Sequence, residues 1–278
     1  MDFNGLNRLK GGVLMDILKR SFAPISEEAW RVLDDQARVV LKDNLSARRF
    51  VDVVGPMGWD FHGFGTGKLV LPEGQQKGAV QYGIRQFQPM VEARVSFEMN
   101  IWDLDDIVRG AKDVDLSPLE EAARKIAAFE ERAVYHGLED GCIEGLFKGA
   151  AASMDLNLSK SKDMIAGVAK AVRSMETLVK GPFALVGGDK LFSAIDSFYE
   201  PYPMRKNLLS LVEKLVYAPL LDGALLVSLA GGYTELALGQ DLSLGYESHD
   251  SSVVRLFFTE TFAFRILEPR AVTVLKLK

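Results

Sequence analysis

The 278-residue chain is poor in the residues that enzymes most often use for metal or nucleophilic chemistry. Its one cysteine, Cys142, cannot form a disulfide within the chain or build a cysteine-rich zinc site. None of its three histidines, His62, His136 and His249, has a cysteine or another histidine at zinc-ligand spacing. No G-x-S-x-G elbow marks a serine nucleophile. The residues therefore predict no catalytic site and no metal site, and a lone thiol fits a reducing cytoplasm.

Basic clusters and long apolar runs are also missing. The net charge is -5, and no basic stretch is longer than a pair such as Lys19–Arg20. Nucleic-acid binding needs clustered lysine and arginine, and a membrane-spanning helix needs roughly 20 apolar residues. Residues 1–7 lack the basic start and apolar core of a secretory signal. We expect neither a nucleic acid nor a membrane as a partner.

The first 14 residues differ from the sequence that follows. They contain glycine and asparagine without a clear period, and a second methionine stands at Met15. Codons for Lys10, Gly11 and Gly12 can contain a purine-rich ribosome-binding sequence just upstream of the Met15 codon. One hypothesis is that translation begins at Met15 and residues 1–14 are a translated leader. The alternative is a genuine N-terminal extension of the arm; the intact mass of natively expressed protein distinguishes the two.

Helical spacing of apolar residues predicts two long amphipathic helices. The first begins after the N-cap residue Ser26 and carries its apolar residues at helical spacing. The second begins at Ser117, with Pro118 in its first turn and Glu120 completing a capping box, and ends at Gly137. Each helix needs an apolar surface to cover.

Strand signals surround these helices. Glycines punctuate residues 55–88, where short β-rich pieces predict a long hairpin that projects from a body. Residues 91–101 alternate apolar and polar side chains, which is typical of a strand with one buried face. The glycines at 231 and 232 separate two apolar strands and predict a second hairpin. Residues 138–222 read as an inserted α/β unit.

Five strings of sequence resemble the shell proteins of encapsulins, a family once known as linocin-type bacteriocins. They are MDILKRSFAPI at 15–25, RFVDVVGP at 49–56, VDLSPLEE at 114–121, LGQDLSLGY at 238–246 and RLFFTETFAF at 255–264. The resemblance spans Met15 to the C-terminus and leaves residues 1–14 outside. It implies the α+β fold of tailed-phage major capsid proteins, the Hong Kong 97-like fold.

That fold implies a division of the chain into parts. Residues 15–48 would form an N-terminal arm helix, and 60–94 an extended β-hairpin loop that laces neighbouring subunits. The peripheral domain would combine 49–59, 95–137 and 223–278 around a long spine helix, and 138–222 would be the axial domain, near symmetry axes. The implied function is self-assembly of many copies into an icosahedral cage, a structural role and not an enzymatic one.

Encapsulin shells capture enzymes that carry a short C-terminal targeting peptide, and the resemblance implies a groove for it between the arm helix and the peripheral domain. Such a groove needs an apolar surface and a few polar anchors. The cargo would be a ferritin-like protein or a peroxidase, with roles in iron storage or oxidative stress. The residues that match the groove are Leu41, Leu45, Arg48, Asp52, Asp241, Leu242, Leu244 and Tyr246. The alternative for the leucines is an ordinary place in the core.

Two further sites are implied by the resemblance. A pore loop would comprise Ser197, Phe198, Tyr199, Glu200, Pro201, Tyr202 and Pro203. Glu200 would tune passage through the pore, or is a solvated loop acid. No cofactor is required, but some family members bind flavin at the position of Trp102, with an arginine that matches Arg94; an ordinary surface or interface tryptophan is the alternative.

Two other functions remain open at this point. One is a phage or prophage major capsid protein that packages DNA, although no scaffolding or maturation segment is visible. The other is a secreted bacteriocin or enzyme, which the missing signal peptide and the missing catalytic residues oppose.

Overall fold

A computed structural model of the chain describes residues 16–74, 80–197 and 203–278. Its helices, in chain order, are α1 (Glu27–Asn44), α2 (Ile101–Val108), α3 (Ser117–His136), α4 (Leu146–Gly149), α5 (Ser161–Glu176), α6 (Asp189–Ser197) and α7 (Met204–Leu209). Its strands are β1 (Asp52–Val54), β2 (Gly63–Val70), β3 (Ile84–Pro89), β4 (Val91–Asn100), β5 (Ala152–Leu156), β6 (Phe183–Gly187), β7 (Lys214–Tyr217), β8 (Ala224–Ser228), β9 (Thr234–Leu238), β10 (Ser243–His249), β11 (Val253–Ile266) and β12 (Val272–Leu277).

The first sheet is organised around the 14-residue strand β11. β4 pairs antiparallel along one side of β11, and β10 followed by β9 pairs antiparallel along the other. β1 extends this sheet by pairing parallel to β9. The expected alternation in β4 is confirmed, because Ala93, Phe97 and Met99 are buried while the residues between them are exposed or half-buried. The buried face packs against α3, and α1 in turn packs on α3.

The second sheet has the strand order β5-β12-β8-β6-β7. Strands β8 and β12 lie in the range 223–278, which the resemblance assigns to the peripheral domain. They pair instead with β5 and β6, strands of the range 138–222. The last 56 residues are therefore divided between the two sheets.

The hairpin predicted at Gly231 and Gly232 is wrong. β8 pairs with β6 and β12 in the second sheet, whereas β9 pairs with β11 and β1 in the first. Both glycines have positive φ, 79° and 73°, a conformation that is strained for other residues. The glycines turn the chain from one sheet to the other, a path that local sequence does not distinguish from a hairpin.

Strands β2 and β3 form a two-stranded antiparallel hairpin, as the glycine pattern predicted. Within the described residues they pair only with each other. The base of the hairpin is attached to the first sheet through Phe64, whose ring lies 4.5 Å from the Arg265 guanidinium of β11. Phe61 packs edge-on against Phe64 at 5.1 Å. This hairpin thus projects from the body with its apolar strands uncovered.

The N-terminus of α1 forms as predicted, and that of α3 does not. The Ser26 hydroxyl accepts a hydrogen bond from the Ala29 N–H at 3.1 Å, which confirms the N-cap. In α3, Ser117 is already helical and its own N–H is bound by Asp115 at 2.9 Å. Glu120 accepts instead from the Gln36 amide of α1 at 2.7 Å. The capping box is therefore wrong, and Glu120 joins two helices.

Candidate functional site at the junction of arm and body

The end of the arm meets the body in a buried polar cluster. After α1, a short 3-10 helix at Ala47–Arg49 lies on α3. The Arg48 side chain, which is 9% exposed, reaches the carboxylates of Glu130, Asp241 and Glu260. These acids come from α3, from the segment that joins β9 to β10, and from β11. One guanidinium therefore ties the arm to three separate elements.

The contacts of Arg48 are close and directional. Its Nε donates to both oxygens of Glu130 at 2.9 and 3.0 Å, and its Nη2 also binds that carboxylate. Nη1 donates to Asp241 at 2.7 Å, and Nη2 donates to Glu260 at 3.2 Å. Burial opposes the charge of Arg48, but the neighbouring carboxylates outweigh it and raise the pKa of Arg48. The arginine is therefore charged at neutral pH.

Three carboxyl groups face this one cation. Glu130 and Glu260 are fully buried, and Asp241 is about one quarter exposed. One oxygen of Glu260, Oε1, has no hydrogen-bond partner. Burial, and next the charge of Glu130, raise the pKa of Glu260 well above its usual range, although Arg48 acts in the opposite direction. The cluster has more buried negative charge than its cation can balance.

A second buried carboxyl, Glu131, holds the residues just before Arg48. Its Oε1 accepts from the backbone N–H of Ala47 at 2.8 Å, and its Oε2 is bound to the Ser46 hydroxyl. The Ser46 oxygen also lies 2.7 Å from the hydroxyl of Tyr135. Burial raises the pKa of Glu131 to about 7, against the hydrogen bonds from Ser46 and Ala47, which lower it. Burial also raises the pKa of Tyr135.

The structure brings some of the expected groove residues together. Arg48 and Asp241 form an ion pair at this junction, although 193 residues separate them. Asp52 lies on β1 and accepts a hydrogen bond from the Gly232 N–H at 2.5 Å. The Tyr246 hydroxyl lies 2.6 Å from Nδ1 of His249. These polar groups line the seam between the arm and the strands β9 and β10.

The four expected leucines lie in the core and not on an open surface. No more than 4% of any of them is exposed, and they share one apolar cluster: Leu41, Leu45, Leu242 and Leu244. In this arrangement the four leucines pack in the core under the polar groups. An ordinary place in the core was the alternative that the sequence left open for them.

Sequence reasoning missed the three buried glutamates. Glu130 and Glu131 occupy positions of α3 at which the helical period places apolar residues, between Ala127 and Val134. Glu260 interrupts the apolar strand β11. A carboxylate in an apolar stripe is a signal for a buried ion pair, and that signal was present in the sequence. Its partner, Arg48, was not predictable from spacing.

Trp102 and Arg94, the residues expected near a flavin, are not adjacent within the chain. Trp102 is 67% exposed at the start of α2, directly after the end of β4. Arg94 lies six residues before Asn100 on that strand, which is about 20 Å at the usual rise per residue. Its guanidinium covers the ring of Phe257 at 4.1 Å.

The pore loop lies almost entirely outside the described residues, which include only its ends, Ser197 and Pro203. The flanking helices α6 and α7 are joined by Arg205, which donates to Asp196 at 2.8 and 3.1 Å. The hypothesis of a leader at residues 1–14 also falls outside the described part of the chain. Among the described helices, none combines the length and the apolar character needed to span a membrane.

Two solved structures define the class of fold. The virus-like particle from Pyrococcus furiosus aligns with a TM-score of 0.66 and 17% identity, over 90% of this chain and 98% of that one. The capsid of Myoviridae phage XM1 aligns with a TM-score of 0.55 and 11% identity, over 84% of this chain and 92% of that one. The chain therefore has the capsid fold, as the sequence resemblance implied.

Sequence comparison then identifies the family. The family model described as an encapsulating protein for peroxidase matches residues 15–263. A type 1 encapsulin shell protein of Rhodospirillum rubrum is 38% identical over 274 residues, which cover 94% of this chain and 97% of the relative. The chain belongs to the encapsulin shell protein family, and the resemblance seen in the five strings is confirmed.

Proposed function

We propose that copies of this chain assemble into a closed, hollow, icosahedral shell that holds a cargo enzyme in the cytoplasm. The chain supplies the container and the cargo supplies the catalysis. Membership of the encapsulin shell family and the capsid fold both support this function. The 38% identity to an encapsulin shell protein favours it over a DNA-packaging phage capsid, whose solved relatives support only the fold.

The observation that carries the proposal is the uncovered hairpin β2–β3. Leu69, Leu71 and Ile84 are 58%, 67% and 59% exposed, and the neighbouring Val70, Val80, Tyr82 and Phe87 are also exposed. Apolar side chains concentrated on a projecting element are typical of a surface that another chain covers. The described part of the hairpin leaves them exposed. A neighbouring copy of the chain would cover them, as expected for the extended loop of a shell.

Electron microscopy of the recombinant full-length protein tests the assembly. We expect hollow particles of uniform diameter, and sedimentation far faster than that of a 30.7 kDa chain. Material that sediments as a single subunit at physiological salt and at every concentration would refute the proposal.

The cargo site would be the seam between the arm and β9–β10. Asp52 and Asp241 would serve as polar anchors at the surface, while Arg48, the four leucines and Tyr246 support them. Extended peptides bind such seams through a few fixed polar contacts that set their register. The cargo class expected is a peroxidase or a ferritin-like enzyme with a C-terminal targeting peptide, and the description of the matching family model supports the former.

Co-expression tests the cargo proposal. The shell protein would be expressed with a candidate peroxidase that is either intact or lacks its last 20 or so residues. The intact enzyme should sediment with the particles and the shortened one should not. Equal sedimentation of both would contradict capture by a terminal peptide. Asp52→Ala should weaken loading without changing particle number.

Two finer roles remain part of the proposal. Residues 197–203 would line a pore with Glu200 at its opening. Trp102 would offer an exposed ring on which a flavin stacks, and Arg94 would hold the flavin phosphate. Flavin absorbance that remains with the purified particles and disappears in Trp102→Ala would support this role. Particles without flavin after saturation and washing would refute it.

A further inference from the structure

The junction of arm and body depends on hydrogen bonds and charges that ionisation would change. Ser46, Ala47 and Arg48 are its arm side, and Glu130, Glu131 and Glu260 are its body side. We call these six residues the latch. The three glutamates are fully buried in the folded chain, and Arg48 is nearly so. Arg48 is paired with Glu130 and Glu260, whereas Glu131 is held by Ser46 and Ala47. One cation cannot neutralise both of the buried carboxylates that it contacts.

Two of the three carboxyl groups are placed to retain a proton. Glu260 lies beside Glu130 and has one oxygen, Oε1, without a partner. A proton on Glu260 can be donated to Glu130, and this removes one buried negative charge. The Ser46 hydroxyl donates to Glu131 in the structure. A protonated Glu131 would reverse this bond, with Ser46 donating to the Tyr135 oxygen, while the other oxygen of Glu131 still accepts from the Ala47 N–H. Burial therefore favours the protonated form of both groups, although at Glu131 the hydrogen bonds from Ser46 and Ala47 favour the ionised form.

The charged groups around Glu260 and Glu131 either favour or oppose the protonated form of each carboxyl. Glu260 faces Glu130 on α3 and Asp241 before β10, which favour its neutral form, and Arg48 of the 3-10 helix, which opposes it. Glu131 faces Glu130 on its own helix. A cavity of about 130 Å³ lies beside it, lined by Ala128, Glu131, Arg132, Tyr135, His136 and Leu220.

We propose that this junction is a proton-operated latch, which holds the arm helix on the body while its buried carboxyls are protonated and loosens when they ionise. The proposal goes beyond assembly and cargo capture and holds whether or not either occurs. Opening exposes Glu131 and Glu260 to water, where the pKa of each returns to about 4.5. The closed form binds protons that the open form loses. Opening therefore becomes easier as the pH rises, by about tenfold per pH unit for each proton.

Hydrogen exchange of the Ala47 amide measures the opening directly, because that N–H is held by Glu131. We would follow it by mass spectrometry on the purified full-length protein between pH 5 and pH 9. Rates would be corrected for the intrinsic pH dependence of exchange. The protection should fall about tenfold per pH unit between pH 5 and 7 for one proton, and more steeply for two. Protection that is independent of pH would overturn the proposal.

Glutamine variants identify the groups responsible, since glutamine resembles a carboxylic acid that does not ionise. In Glu131→Gln the protection of the Ala47 amide should fall less steeply with pH, by about tenfold per pH unit. With Glu260→Gln added, the protection should no longer depend on pH. Glu121→Gln is the matched control: this carboxylate lies on the same helix, is exposed and pairs with Lys125 at 2.8 Å. It should leave the slope unchanged. A double variant that keeps the wild-type slope would exclude these carboxyls.

A second measurement does not depend on any variant that must fold. The infrared spectrum of the wild-type protein at pH 7 should contain the carbonyl stretch of a protonated carboxylic acid. Exposed carboxyl groups do not contribute at that pH, because their pKa lies near 4. Absence of this band at pH 7 would refute the latch.

Discussion

Arg48 and Glu130 are joined by charge-assisted hydrogen bonds from which water is excluded. They are 82 residues apart in sequence, and the Arg48 Nε donates to both carboxylate oxygens at 2.9 and 3.0 Å. Buried pairs of this kind add little net stability when both partners are present, because each charge has lost its hydration. Removal of one partner is costly, because the other stays buried without compensation. The stability of the arm attachment therefore depends on this one arginine.

Arg48→Met should destabilise the folded chain by about 3–5 kcal/mol, because Glu130 and Glu260 lose the one buried cation that pairs with them among the described residues. Differential scanning calorimetry would show this as a lower unfolding temperature. Arg124→Met is the control, since Arg124 is half exposed and pairs with Glu120 on the helix surface. We expect a change of less than about 0.5 kcal/mol there. Equal effects of the two substitutions would contradict the geometry of the junction.

Glu131→Gln should make stability less dependent on pH. The pKa of Glu131 is raised from 4.5 to about 7 in the folded chain, so its protonated form is favoured by folding. The contribution of this protonated carboxyl to the free energy of unfolding is fully present below pH 4.5 and is lost as the pH rises to about 7. Above pH 7 the variant should be more stable than the wild type by roughly 3 kcal/mol, and at pH 4 the two should be alike. Chemical denaturation at both pH values measures the difference, and a wild-type advantage at pH 8 would contradict it.

Val70→Lys combined with Ile84→Glu should prevent shell formation without unfolding the chain. These residues are cross-strand partners on the exposed hairpin, so the new charges can pair and preserve it. They would also remove apolar surface that a neighbouring copy would cover. Electron microscopy should find no particles while circular dichroism stays unchanged. Val70→Ile with Ile84→Val keeps the surface apolar and should assemble normally; normal shells from the charged variant would contradict this role.

Leu244→Asp should abolish folding and not merely cargo binding. The side chain is fully buried in the main core, where an unpaired carboxylate costs several kcal/mol. The yield of soluble protein would fall sharply. Val39→Asp, on the exposed face of α1, is the control and should be tolerated. A soluble, assembled Leu244→Asp shell that is only empty of cargo would show that this leucine faces a groove.

Local sequence was enough to determine many elements. The N-cap at Ser26, the end of α3 at Gly137, the alternation along β4 and the projecting hairpin follow from the sequence nearby. The five family strings determined the fold and the family, because each one matches the family at several neighbouring positions. These signals are short-range and can be read without knowing any partner.

Only the tertiary structure decided which distant elements meet. β8 and β9 flank a glycine turn that is typical of a hairpin, yet each finds its partners in a different sheet. Glu130 and Glu260 break apolar patterns that the sequence displays, but only the packing of the arm against the body shows that Arg48 compensates them. The physical reason is that strand pairing and charge burial depend on contacts between residues far apart in the chain, which local spacing does not encode.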